Sequence, residues 1–70
     1  MTVVKIIKVL GTSSESWDDA VQEAVREASK TVEDIRGIEV QDYTADVEGD
    51  AITEYKATID VAFPVHDDRP

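Results

Sequence analysis

The chain has 70 residues, no cysteine, and 16 acidic against 7 basic side chains, for a net charge of −9. A chain of this length buries only about 60% of the surface its unfolded form exposes. With 41% hydrophobic residues and a single Trp and Phe, it has no disulfide or thiolate–zinc staple to compensate, which leaves oligomerisation as the usual source of stability. The negative charge repels phosphate backbones and anionic lipid, so nucleic-acid and membrane-surface roles are disfavoured.

No apolar run approaches a membrane span or the hydrophobic stretch of a signal peptide, so a cytoplasmic protein is expected. The acidic surplus also suits a salt-rich, halophilic cytoplasm. There the Debye length falls to about 3 Å at 1 M salt, and self-repulsion is screened.

Val3 to Leu10 is β-branched and apolar with two interspersed lysines, which predicts a strand broken by Gly11-Thr12-Ser13-Ser14. Ser16 stands where a helix N-cap belongs, with Asp18 and Asp19 in the first turn, where the helix dipole favours negative charge. Trp17, Ala20, Val21, Ala24, Val25 and Ala28 then form one apolar stripe on a helix ending near Ser29 or Lys30. The three alanines let that helix lie close against a sheet.

A second strand is expected from Ile35 to Val47, long and not cleanly alternating, followed by a turn at Val47-Glu48-Gly49-Asp50 with Gly49 free to take positive φ. The third strand has the clearest pattern: Tyr55, Ala57, Ile59, Val61 and Phe63 on one face, Glu54, Lys56, Thr58 and Asp60 on the other. Pro64 is expected to end the ladder, leaving a polar, frayed tail from Val65 to Pro70.

The expected class is therefore α+β, in β-α-β-β order: a three-stranded antiparallel sheet wrapped around one helix. It forms a single domain over residues 1–70, with an ordered core at about 3–64 and a tail at 65–70. One helix covers only one face of such a sheet, and the other face and the strand edges call for solvent or another subunit.

Three stretches together resemble the dodecin family. They are Gly11-Thr12-Ser13 followed by Ser16-Trp17 and an alanine-rich helix, Thr31-Val32-Glu33-Asp34-Ile35-Arg36 before the second strand, and the third strand ending Val61-Ala62-Phe63. The resemblance spans residues 3–63 and implies a hollow homododecamer built from trimers. It also implies flavin binding in the usual members, where isoalloxazine rings stack between symmetry-related tryptophans and a glutamine hydrogen-bonds the ring edge.

By family position, the ligand pocket of this chain falls on Gly37, Lys56 and Asp46. Gly37 stands where the stacking tryptophan belongs, Lys56 where the glutamine belongs, and Asp46 where flavin-binding relatives carry a glutamate. Losing a ring from such a stack removes about 1–3 kcal/mol, and a lysine cannot accept a hydrogen bond as an amide oxygen does. Flavin is thus the less favoured ligand. Within the family, the chain is similar to the branch described as calcium dodecin, which also lacks the stacking tryptophan. That resemblance implies calcium or another divalent cation.

Calcium takes six to eight oxygen ligands. Asp46, Glu48 and Asp50 place carboxylates at alternating positions like the start of an EF-hand loop, but the spacing of the glycine and of position 12 does not match one. They are the candidate metal ligands, with an acidic solvated turn as the plainer reading. Glu39, Asp42 and Asp60 are further candidates if symmetry brings copies together.

Lys56 and Arg36 can contact an anion in the pocket or pair with the abundant carboxylates, the second being favoured. Trp17 reads as core or interface filler within the helix stripe, and His66 as a tail residue. Ser13, Ser14 and Ser16 belong to a loop and a cap without a base nearby, and no phosphate-cradling glycine loop exists. No enzyme is expected.

Overall fold

The computed structural model describes residues 3–65, so His66 and the rest of the expected tail lie outside the described residues. Its elements are β1 (Val3–Ser13), α1 (Trp17–Ser29), β2 (Gly37–Glu48) and β3 (Ala51–Val65), and the three strands form one antiparallel sheet in the order β1-β3-β2. The longest strand, β3, is thus central, and both shorter ones are edges. The helix lies on β1 and β3 and leaves most of β2 uncovered.

Four boundaries differ from expectation. Gly11, read as the end of the first strand, continues it: β1 runs on through Ser13, with Gly11 opposite Ala57. A Cβ on Gly11 would stand 2.1 Å from the Ala20 carbonyl oxygen and 2.8 Å from the Ala24 Cβ. The glycine is therefore a contact surface for the helix rather than a strand breaker.

Pro64 does not end the ladder either. It pairs with Val4, and Val65 pairs with Val3. The Ala62 carbonyl accepts from the Arg36 amide on the β2 side, so alternation also turns the Pro64 nitrogen to that side. There β2 has not yet begun, and the missing N–H costs the sheet nothing.

Strand β3 also starts earlier than Tyr55, and β2 later than Ile35. The pairing of β2 with β3 contains two bulges. Between Val40 and Asp42 the register shifts by one, leaving Gln41 extra on β2; between Asp46 and Val47 it shifts again, leaving Thr53 extra on β3. Each bulge flips which side chains face the helix. This accounts for the change from Ile38 and Val40 to Tyr43, Ala45 and Val47 on the helix side. The turn itself is short, Gly49-Asp50, with Gly49 at φ 67° as anticipated.

The helix start follows the sequence closely. Ser16 is the N-cap, its hydroxyl accepting from the Asp19 amide at 3.0 Å. The helix ends at Lys30, whose N–H bonds to the carbonyls of Ala28 and Glu27. Asp34 in the following connection takes a left-handed φ of 59°, which Asp tolerates better than most residues.

Ala24, Ala28, Ile59 and Val61 form the buried core, with Ile7, Val9, Val21, Val25, Ile35 and Phe63 packed around it. That is a small core on a long frame. The radius of gyration is 14.8 Å, against about 11 Å for a compact chain of this length. The β2–β3 hairpin projects away from the helix and accounts for the difference. Among the described residues, no helix is long and apolar enough to cross a membrane.

Candidate functional site

Opposite residues in a sheet share a face, so the pairings sort the candidates directly. Gly37 lies opposite Ala62, Glu39 opposite Asp60, Thr44 opposite Lys56, and Asp46 opposite Glu54. All of these lie on the face turned away from the helix, since the buried Ala57, Ile59 and Val61 occupy the helix side.

Lys56 and Asp46 meet: the Lys56 amine is 3.1 Å from Asp46 Oδ1, with the two side chains 30% and 54% exposed. Gly37 does not join them. It sits six residues farther along β3, about 20 Å at the rise of a strand, so the three pocket positions converge only if separate copies contribute them.

Gly37 is open. Nothing lies within 4 Å of where its Cβ would stand. Around it Ile6, Ile38, Ala62, Glu39 and Asp60 line a cleft of about 240 Å³. Asp60 is well held there. One of its oxygens accepts from Gln41 Nε2 at 2.8 Å and the other lies 3.7 Å from the Lys8 amine. Gln41 had drawn no attention in the sequence, although the broken alternation around it marks the bulge that aims it at Asp60. A larger groove of about 460 Å³, lined by Asp18, Asp19, Val21, Gln22, Val40 and Tyr43, lies on the helix side.

Among the described residues, no three acidic side chains are gathered closely enough to hold a metal ion. Asp46, Glu48 and Asp50 are not gathered into such a group, and Asp46 has Lys56 as its partner. Glu39, Asp42 and Asp60 do not form one either.

Trp17 packs as the stripe reading expects, on the helix side of the sheet. Its ring lies edge-on against Tyr55 at 4.8 Å and Tyr43 at 6.0 Å between centroids, while its indole N–H donates to the Thr44 carbonyl at 2.8 Å. The residue thus ties the helix start to β2 and β3. Tyr55 lies on the face its alternation predicts, and Tyr43 joins it because the bulge at Gln41 turns it to the helix side.

Ser13 also has a structural role. Its hydroxyl donates to Asp19 Oδ2 at 2.7 Å and accepts from the amides of Glu15 and Ser16 at 2.9 and 3.4 Å, which shapes the entry to the helix.

This is a small α+β protein whose antiparallel sheet carries a helix on one face and Gly37, Asp46 and Lys56 on the other. The dodecin family model matches residues 3–66, and the chain belongs to the dodecin family. A relative from Mycobacterium tuberculosis named calcium dodecin is 34% identical over 70 residues, covering 100% of this chain and 99% of its own. The crystal structure of that organism's calcium dodecin, described as calcium chelating with a novel calcium-binding site, overlays with a TM-score of 0.80 at 35% identity over 97% of each chain. A dodecin variant from Thermus thermophilus overlays more closely, at 0.91, with 27% identity over 96% of this chain and 100% of that one. Sequence likeness and backbone likeness thus point to different relatives.

Proposed function

We propose that this protein is a binding or storage shell, a homododecamer built from trimers, that holds a small ligand and divalent cations, calcium foremost. In this reading it does not clamp a flavin by ring stacking. The observation that carries the reading is the state of the two pocket positions: an open Gly37 with no side chain to stack, and a Lys56 amine paired with Asp46. The relative named calcium dodecin supports the choice of cation. Carboxylates from several copies would have to share the ion, because calcium takes six to eight oxygens and the described residues of one chain gather too few. Asp46, Glu48 and Asp50 remain the first candidates, at the exposed end of the hairpin.

A calcium titration by calorimetry on size-checked protein tests this, together with melting curves with and without the ion. Saturable heat and a higher Tm are expected, since a ligand at 100 times its Kd adds about 2.7 kcal/mol of stability. No heat and no shift would remove the cation from the reading.

The second reading is flavin binding and sequestration through an altered pocket. The apolar walls Ile6, Ile38 and Ala62 beside Gly37 favour it, as does the backbone likeness to the Thermus thermophilus protein.

A further inference from the structure

Two rows of residues cross the sheet on the face turned away from the helix. Ile6, Ala62 and Gly37 make one row, and Lys8, Asp60 and Glu39 make the next, two residues along each strand. Such rows lie about 7 Å apart, so one small molecule reaches both. The cleft of about 240 Å³ beside Gly37 is lined from both, by Ile6 and Ala62 and by Glu39 and Asp60. It stays open because Gly37 has no side chain to fill it.

The second row carries an electrostatic conflict. Glu39 stands directly opposite Asp60 on the neighbouring strand, and like charges so placed destabilise a sheet. Lys8 is the one base in the row, and its amine lies 3.7 Å from Asp60 Oδ1. Gln41 Nε2 donates to the other Asp60 oxygen at 2.8 Å. Asp60 is thus served on both oxygens, whereas the Glu39 carboxylate has no partner among the described residues. Two carboxylates share one lysine, which leaves the row one negative charge that no described residue neutralises.

That combination selects the ligand. A bare divalent ion finds too few oxygens, since calcium takes six to eight and the described residues gather no three acidic groups. An anion meets the charge of Glu39. An organic monocation suits both rows: its charged group pairs with Glu39, and its apolar body covers Ala62 and Ile6, which is 65% exposed. A conflict such as the Glu39–Asp60 pair is also what a fold keeps at a functional site.

We infer that the cleft beside Gly37 binds a small organic cation, a protonated amine on an apolar body, with Glu39 as its counter-ion and Ile6 and Ala62 as its floor. The inference rests on the small-ligand reading proposed above and names the class of that ligand.

The test is a ligand-observed NMR titration of the full chain with 2-phenylethylamine. Two matched probes run beside it, the neutral 2-phenylethanol and the anionic 3-phenylpropionate. Saturable binding of the amine is expected, with the alcohol about tenfold weaker and the acid weaker still. Glu39→Gln is expected to bring the amine down to the level of the alcohol, and Gly37→Leu to block both by filling the cleft. Glu27→Gln removes the same charge from α1, on the opposite side of the sheet, and is expected to leave the preference intact.

Equal binding of amine and alcohol overturns the inference. So does a preference that survives Glu39→Gln, or one lost equally in Glu27→Gln. If no probe binds, the inference falls alone when the calcium titration above still gives heat, and the whole binding reading falls with it when calcium gives none. If circular dichroism finds Gly37→Leu misfolded, Ile6→Ser decides: weaker binding of the amine supports the cleft, and an unchanged affinity removes it.

Discussion

Gly11 and Gly37 lie on the two edge strands, one on each, yet their surroundings are opposite. At Gly11 the helix comes so close that a Cβ would overlap the Ala20 carbonyl at 2.1 Å, whereas at Gly37 a Cβ would meet nothing within 4 Å. Neither has positive φ, so backbone conformation explains neither glycine. Gly11 is imposed by packing: without it, the alanine stripe of α1 could not lie against β1. The fold asks nothing of Gly37, which leaves its identity to the surface and to what binds there.

The sharpest way to break this contrast is at the packed end. Gly11→Val is expected to cost more than about 3 kcal/mol or to prevent folding, because the helix must lift off the sheet. Urea unfolding checks it, and a near-neutral result would mean that the close helix–strand approach is wrong. At the open end, Gly37→Ala is expected to leave stability unchanged or raise it by up to about 0.5–1 kcal/mol, since glycine is the weaker strand residue. A loss of more than 1 kcal/mol in the same assay would show that Gly37 is packed against something, a neighbouring copy included.

The order of elements was legible because three periodicities stand out: the alanine stripe, the Tyr55-to-Phe63 alternation, and the β-branched run at Val3 to Leu10. The strand ends were not, and each miss has its own cause. Gly11 looks like a break unless the helix above it is known. Pro64 looks like a stop unless one knows that its nitrogen faces the side where β2 is absent.

The bulges at Gln41 and Thr53 were visible only as imperfect alternation, and that imperfection hid which face Tyr43 takes. The Asp46–Lys56 pair lies across a turn the sequence does mark, between two residues that family position puts in one pocket, and it is the carboxylate pairing expected of Lys56. Gly37 and Lys56 lie about 20 Å apart along the sheet, so one chain does not bring these two positions together.

The account's central claim is that the missing side chain at Gly37, with Lys56 beside Asp46, is what turns this member of the family away from flavin. A riboflavin fluorescence titration in high salt tests it most directly, run on the wild type and on the double variant Gly37→Trp/Lys56→Gln. The account predicts unchanged flavin fluorescence with the wild type and saturable quenching with the variant, because Gly37 leaves room for the ring. Strong quenching by the wild type would contradict it and put the flavin-sequestering reading first.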